Sequence, residues 1–172
     1  MVWMRRKARG LALQALYEID STGHSAEGVL NRLLTEEKLS EGNSGFVHDL
    51  VTGVIQNREK IDQNVRNFAP AWPLEQMPAI DRNILRLAIF EILIDNKVPI
   101  KVAINEAVEL AKTFGADSSS KFVNGVLGSV IANSDHCLAA SKKRTAEKEV
   151  QEPSCRGSGG VPQIPDSPKT GG

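Results

Sequence analysis

The sequence predicts an all-α fold, and three observations support that prediction. Apolar residues recur at helical spacing through most of the first 135 residues. Residues 80–94 are apolar on nearly every side of a helix, which is typical of a helix that other helices surround. Residues 98–128 form two amphipathic segments with a glycine between them. We therefore expect a helical domain with residues 80–94 at its centre.

The first half of the chain is predicted to contain three helices. One apolar stripe marks the first helix: Ala8, Leu11, Ala12, Ala15, Leu16 and Ile19. A loop at residues 21–25 precedes a short second helix, marked by Val29, Leu30, Leu33 and Leu34. After a break at residues 41–45, a long helix is expected over residues 46–68. A connector at residues 69–78 follows, with three prolines and Trp72.

The sequence also predicts the connection between the last two helices. Pro99 suits a first helical position, because its missing N–H would have no intrahelical acceptor there. Gly115 is placed to end that helix in the left-handed conformation. Asp117 or Ser118 offers a side-chain oxygen that could cap the next helix.

Composition divides the chain near residue 135. Residues 136–172 hold four of the eight prolines and five of the fourteen glycines, and no aromatic residue lies beyond Phe122. Such a segment buries too little apolar surface to offset its ordering entropy. We expect one domain at residues 1–135 and a disordered tail at residues 136–172. Both cysteines, Cys137 and Cys155, lie in that tail and predict no disulfide framework.

A basic cluster at the start of the first helix is the first candidate site. The whole chain has 21 basic and 21 acidic residues, but residues 10–135 have 11 basic against 17 acidic. Four cations lie within five residues: Arg5, Arg6, Lys7 and Arg9. Cations oppose the positive end of the helix macrodipole, so a ligand such as RNA phosphate explains them better than stability does. Tyr17 could stack on an unpaired base. The alternative is a frayed, solvated end with no role.

A second candidate site lies on the last helix. Lys121, Asn124 and Gly128 share a face away from the apolar stripe, with Phe122 at its edge. Lys121 could contact phosphate, and Asn124 belongs to the same expected RNA surface. A glycine inside a helix destabilises it by roughly 1 kcal/mol relative to alanine. Close helix packing is the favoured explanation for Gly125, and close approach of an RNA backbone is the alternative.

The sequence gives no support for catalysis, a metal or a cofactor. Asp81 and Glu106 are carboxylates on otherwise apolar helices, and a protein-partner contact or a solvated face explains them better than a catalytic pair. The three histidines have no ligand spacing, and no phosphate-cradling glycine motif occurs. We expect no enzyme activity, no membrane span and a cytoplasmic location.

Three segments resemble one family. RRKARGLALQALY at residues 5–17, IDRNILRLAIFE at residues 80–91, and KVAINEAVELAKTFG with KFVNGVLG at residues 101–128 are similar to the first, central and last helices of the NusB family. These are bacterial transcription antitermination factors. Gly10 departs from the family pattern, which favours a helix former there.

The resemblance implies both a fold and a function. The fold would have about seven helices in two small bundles around the central one. The function would be binding of boxA RNA in ribosomal RNA leaders together with the ribosomal protein NusE, on an antiterminating RNA polymerase. Asp81 would stand where the family meets NusE. A homodimer, a targeting module detached from an rRNA cytosine methyltransferase, and a protein-binding scaffold remain alternatives.

Overall fold

The computed structural model describes the backbone of residues 2–149 and the side chains of residues 4–134. All regular secondary structure in this part of the chain is helical, so the all-α prediction is confirmed. Seven α-helices occur there: α1 (Val2–Thr22), α2 (Ala26–Glu37), α3 (Glu41–Gln56), α4 (Arg58–Phe68), α5 (Ala79–Ile89), α6 (Ile100–Phe114) and α7 (Ser119–Glu149). A 3₁₀ turn (Leu74–Gln76) precedes α5, and a π-helical segment (Phe90–Asp95) continues it.

Helix α5 lies at the centre of the core, as its all-round apolar character predicts. It packs against α1, α3, α4 and α6, while α1 also packs against α2 and α3. Ile84, Leu85 and Ile89 are completely buried. The apolar stripe of α7 joins the same core through Val123, Leu127 and Val130. The helices before and after residue 57 thus share one hydrophobic centre.

The prediction of one long helix over residues 46–68 is wrong. Helix α3 already begins at Glu41, so the expected break at residues 41–45 is wrong too, and α3 ends at Gln56. Asn57 interrupts the helix, with φ −107° and ψ 13°. Its side-chain amide donates to the Gly53 carbonyl at 2.8 Å. An asparagine side chain competes in this way with the backbone hydrogen bonds of the helix. The apolar periodicity of the sequence gives no sign of this side-chain hydrogen bond.

Gly115 does not adopt the left-handed conformation that the sequence predicts. Its backbone is extended, with φ −89° and ψ −177°. A Cβ at this position would lie 2.5 Å from the Cβ of Ser119, so glycine is required by close approach. The hydroxyl of Ser119 accepts a hydrogen bond from the Ala116 N–H at 2.9 Å. This bond holds the loop against the first turn of α7 and does not cap an N–H of the helix. The side-chain cap expected from Asp117 or Ser118 is not formed among the described residues.

The end of α7 differs from the predicted end of helical structure. The backbone stays helical through Glu149, although the apolar period fails near residue 136. The chain divides into two compact units, residues Met1–Cys137 and Leu138–Gly172. The disorder expected for the tail falls mainly on residues 150–172, which lie outside the described residues. A domain boundary at residue 135 stays a prediction.

A charged network joins α1, α4 and α5 at the edge of the core. Asp20 accepts hydrogen bonds from Arg82 at 2.6 Å and from Arg58 at 3.0 Å. Arg86 lies 3.2 Å from Asp20 and donates two bonds to Asp62, at 2.8 and 2.9 Å. Burial of the Asp20 carboxyl favours its neutral form, but the hydrogen bond from Arg82 and the charges of Arg86 and Arg82 outweigh it and lower its pKa. The network fixes the far end of α1.

Candidate nucleic-acid interface

Three of the four cations at the start of α1 remain accessible. Arg5 is exposed, and its guanidinium lies 4.2 Å above the centre of the Phe46 ring. The Nζ of Lys7 lies 2.9 Å from a carboxylate oxygen of Glu37, with both side chains well exposed. Arg6 is half-exposed and donates to both oxygens of Glu106, at 2.8 and 3.2 Å. Each of these cations is held in place yet still faces solvent.

The RNA contact predicted for Arg9 is wrong. Arg9 is 4% exposed and donates three hydrogen bonds to Glu91, at 2.7, 3.1 and 3.1 Å. Glu91 belongs to the π-helical segment that continues α5, and it is buried as well. Arg9 points toward the core because it lies beside Ala8 and Ala12 on the buried side of α1. Its charge is used in a buried ion pair, so it cannot reach phosphate.

Glu106 is not an accessible contact for a protein partner, so that prediction is wrong as well. It is 4% exposed, and one of its oxygens lies 4.0 Å from Arg9 while both accept bonds from Arg6. These hydrogen bonds raise the pKa of Arg6, and the negative charge of Glu106 adds to the effect. Glu106 therefore positions Arg6 at the surface.

Asp81 lies in the first turn of α5, where the helix dipole favours a carboxylate. It is 5% exposed, so it is not a solvent-exposed charge that a protein partner could contact freely. Its Oδ1 is buried and accepts no hydrogen bond from any residue that the structure describes. Such an oxygen is normally hydrogen-bonded. A role in partner binding stays a prediction, and it would require a donor that reaches this oxygen.

The predicted residues of α7 lie together on its outer surface. Lys121 and Asn124 are exposed, and Phe122 is half-buried. A shallow groove of about 460 Å³ runs between α6 and α7, lined by Lys101, Ile104, Asn105, Val108, Ser120, Lys121 and Asn124. Lys101 and Asn105 belong to this surface, and sequence reasoning missed them. Their i, i+4 spacing on the exposed side of α6 was the available signal.

Trp72 is a third residue that sequence reasoning did not assign to a site. It is 56% exposed, and its ring meets Phe122 edge-on, with centroids 5.3 Å apart and planes at 72°. Tyr17, the other predicted aromatic contact, is 42% exposed on α1. A tryptophan in a proline-rich connector was the available signal, but the same pattern is typical of a tryptophan that packs into the core.

The explanation of Gly125 by close helix packing is wrong. A Cβ at Gly125 would meet no atom within 4 Å, and the same is true of Gly128. Gly10, by contrast, faces the Phe114 ring, where a Cβ would lie at an ordinary contact distance of 3.6 Å. Neither α7 glycine is required by the fold of the described residues.

The described residues contain neither a metal-binding group nor a membrane-spanning helix. No group of three or more histidine, cysteine, aspartate or glutamate side chains in the described part of the chain could hold a metal ion. No helix there is long and apolar enough to cross a membrane. The candidate interface therefore consists of the exposed cations, side-chain amides and aromatic rings described above.

Comparison with known proteins identifies the family. The model of the NusB family matches residues 6–132. Transcription antitermination protein NusB of Dehalococcoides mccartyi is 59% identical over 130 residues, which cover 76% of this chain and 91% of the relative. The protein of the same name from Chloroflexus aggregans is 50% identical over 129 residues, covering 74% and 86%. These relatives are named for antitermination and not for a catalysed reaction.

Solved structures agree with the sequence matches. T. maritima NusB superposes with a TM-score of 0.68 at 32% identity, covering 73% of this chain and 89% of that one. A structure of antitermination factors NusB and NusE in complex with dsRNA superposes with a TM-score of 0.70 at 24% identity, covering 76% and 97%. At that identity the second likeness concerns the fold alone. The family model, the relatives and the shared fold agree: this chain belongs to the NusB family.

Proposed function

We propose that this protein is a transcription antitermination factor that binds single-stranded boxA-type RNA of ribosomal RNA leaders together with the ribosomal protein NusE. Its relatives carry the name of transcription antitermination proteins. The observation that carries the RNA-binding part is the accessible group of Arg5, Arg6 and Lys7 on the first turns of α1. We name these three residues the α1 cluster.

The α1 cluster suits phosphate for electrostatic reasons. Arg5 lies in the first turn of α1, where the helix macrodipole disfavours a cation, and together with Arg6 and Lys7 it concentrates positive charge at this end of the helix. Each has a partner that orients it without removing it from solvent: the Phe46 ring for Arg5, Glu106 for Arg6 and Glu37 for Lys7. Arginine donors match phosphate oxygens in pairs, and the Arg6 side chain stays 41% exposed beside its buried Glu106 partner. A polyanion can compete with Glu37 for Lys7, because an ion pair between two exposed side chains is weak.

The experiment is RNA binding by a triple variant, Arg5→Ala, Arg6→Gln and Lys7→Ala. Glutamine at position 6 keeps a donor for the buried Glu106 carboxylate, so the fold should be retained. The matched control replaces two exposed cations of α4, Lys60→Ala and Arg66→Ala. Titration of a fluorescent boxA RNA should show strong loss of affinity in the triple variant and little in the control. Equal loss in both would make the contact nonspecific, and the α1 cluster would not be the site.

The NusE partner is proposed to meet the start of α5. The buried, unpaired Oδ1 of Asp81 supports this location, because a donor from a partner would satisfy it. Asp81→Asn keeps the shape of the side chain and removes its charge. Calorimetry with NusE should then give weaker binding while the circular dichroism spectrum stays unchanged. Unaltered affinity would place the protein interface elsewhere.

Action on RNA polymerase follows from these two contacts. The RNA-bound pair is proposed to act within an antitermination complex on the polymerase, and the self-associated form would be inactive if it covered the α1 cluster. Transcription past a terminator downstream of boxA should fall in the triple variant. Sedimentation of the protein with and without RNA would show whether a homodimer competes with RNA.

A further inference from the structure

A slot opens between α1 and α6, next to the α1 cluster. Its volume is about 300 Å³, and Gly10 of α1 and Phe114 of α6 both line it. Phe114 is the last residue of α6 and is 44% exposed. One exposed apolar residue needs no explanation. The groups that surround this ring, however, indicate a binding site.

Gly10 leaves the Phe114 ring uncovered. A Cβ at Gly10 would lie 3.6 Å from the Cε2 and Cζ atoms of the ring, which is an ordinary contact distance. The fold therefore tolerates alanine there, whereas a longer side chain would extend over the ring. Glycine is also less favourable than alanine inside a helix. Neither packing nor helix propensity explains this glycine, but close approach of a flat ligand would.

The rest of the slot combines apolar and polar groups, as ligand sites do. Leu11 and Leu110 are each 4% exposed and supply apolar surface. The side-chain amide of Gln14 and the carboxylate of Glu109 supply hydrogen-bonding groups. Two members of the α1 cluster line the slot as well. An aromatic ring, hydrogen-bonding groups and cations thus lie within one small site.

Glu109 supplies a charged hydrogen-bond acceptor. Lys112 donates to its Oε1 at 2.8 Å, and the guanidinium of Arg6 lies 3.9 Å from its Oε2. The hydrogen bond from Lys112 and the charge of that lysine lower the pKa of Glu109, so the group is a carboxylate at neutral pH. A distance of 3.9 Å is too long for a hydrogen bond. Oε2 can therefore accept one from an N–H of a ligand.

We propose that this slot binds one unpaired base of the RNA and that Gly10 controls access to it. We name it the Gly10 slot. The base stacks on the Phe114 ring, while Arg6 and Lys7 bind the adjacent phosphates. An exocyclic amine of the base donates to Glu109, which selects an amine-bearing base over uracil. The inference rests on the proposed function, because it takes RNA as the ligand, and it adds a base-recognition site to that function.

A single-stranded nucleic acid fits the Gly10 slot better than a protein does. Stacking on an aromatic ring beside cations that follow the phosphate backbone is the usual mode of single-strand binding. It requires a base outside a duplex. A protein helix is about 10 Å across, so it needs a longer apolar groove than a slot of about 300 Å³. The size of the slot therefore favours one planar ring.

Tryptophan fluorescence tests the stacking directly. The chain contains two tryptophans, so Trp3→Phe with Trp72→Phe and Phe114→Trp leaves one emitter, at position 114. Addition of a short synthetic boxA RNA should quench this emission with the same midpoint as binding measured by anisotropy. Adding Gly10→Leu to this protein should abolish the quenching, because leucine then covers the ring.

Variants of the slot test its contribution to affinity. Gly10→Leu and Phe114→Ala should each weaken boxA RNA binding by about 5- to 150-fold, the range for loss of one stacked base. The two losses should not add in the double variant, because both remove the same contact. Gly10→Leu should also raise the melting temperature by about 2–4 °C, which excludes misfolding as the cause. Gly42→Leu, an exposed glycine of α3 with open space around it, should leave the affinity unchanged.

The choice of base tests the role of Glu109. Cytosine and uracil are of equal size, and cytosine carries an amine where uracil carries a carbonyl oxygen. The parent protein should therefore bind hexacytidylate more tightly than hexauridylate, and Glu109→Gln should narrow that difference. Equal affinity of the parent for the two oligonucleotides would contradict the recognition of an amine by Glu109.

The outcomes separate this inference from the proposed function. If the parent protein binds no boxA RNA, both fail. If RNA binding depends on the α1 cluster while Gly10→Leu and Phe114→Ala keep the parent's affinity, the Gly10 slot is refuted and the function stands. Gly10→Leu should keep the parent's slope of log affinity against log salt, because the phosphate contacts remain. If Gly10→Leu weakens binding of NusE and not of RNA, the slot belongs to the protein partner and the inference is wrong.

Discussion

At the scale of single residues, burial decides which charged side chains are accessible to a binding partner. Arg9 and Arg6 are three positions apart on α1, and sequence assigns both to phosphate. The structure places Arg9 in the core opposite Glu91, while Arg6 stays at the surface. Sequence reasoning could locate the basic cluster from local charge density. It could not detect that Glu91, 82 positions away, neutralises one member of it.

The Arg9–Glu91 pair yields the first prediction. Arg9→Ala should lower the free energy of unfolding by about 3–5 kcal/mol, because it leaves the Glu91 carboxylate buried without its partner. Urea denaturation measures this loss. Arg5→Ala, at the exposed end of the same helix, should change the free energy by less than about 0.5 kcal/mol. Equal stability of the two variants would mean that Arg9 is free for RNA after all.

The Asp20 network yields a prediction about pH. The folded state lowers the pKa of Asp20, so the unfolded chain binds the proton first as the pH falls. The stabilisation is thus complete above the ordinary aspartate pKa of about 3.9 and is lost as pH drops through the lower, folded value. Asp20→Asn should lower the unfolding free energy at neutral pH by about 3 kcal/mol. Its difference from the parent should shrink in urea titrations below about pH 4; a constant difference would contradict the assignment.

At the scale of elements, the sequence predicts which face of each helix is buried better than it predicts where each helix begins and ends. The apolar stripes of α1, α5, α6 and α7 follow from periodicity, because burial selects one helical face. The break at Asn57 depends on one side-chain hydrogen bond, and the geometry of Gly115 depends on contact with Ser119. Both contacts join residues only four positions apart, but each depends on the conformation of one side chain, and apolar periodicity carries no information about that conformation.

Gly53 shows how an element depends on a distant neighbour. A Cβ there would lie 2.2 Å from the Cζ of Phe90 in the π-helical segment. Gly53→Ala should lower the free energy of unfolding by about 1–3 kcal/mol through overpacking, despite the higher helix propensity of alanine. Gly45→Ala, in the same helix with open space around it, should be neutral or stabilising. Thermal unfolding that ranks Gly53→Ala as the more stable variant would contradict this packing.

At the scale of the whole molecule, the three matching segments predicted the fold because they supply more than half of the buried apolar side chains of its core. The central helix, the α1 start and the α6–α7 block lie in the region that the NusB family model covers. The candidate nucleic-acid surface was only partly predictable. The α1 cluster and Lys121 stand out as local patterns, whereas the contact between Trp72 and Phe122 forms only when the connector folds back onto α7.

The domain boundary yields a prediction at this scale. Truncation after Asp135 should change the free energy of unfolding by less than about 1 kcal/mol, because Val130 is the last fully buried apolar side chain among the described residues. Urea denaturation of the truncated and full chains provides the comparison. A large cooperative loss of helix would move the boundary into the later part of α7.

The salt dependence of RNA binding tests the central claim most directly. Three phosphate contacts from the α1 cluster contribute about −2.1 to the slope of log affinity against log salt, at about −0.7 per contact on a single strand. Raising salt from about 50 to 200 mM should therefore weaken binding by roughly 18-fold through these contacts alone. The variant Arg5→Ala, Arg6→Gln and Lys7→Ala should lose that share of the slope and stay folded. If it binds boxA RNA with the parent's affinity and slope, the α1 cluster is not an RNA-binding site.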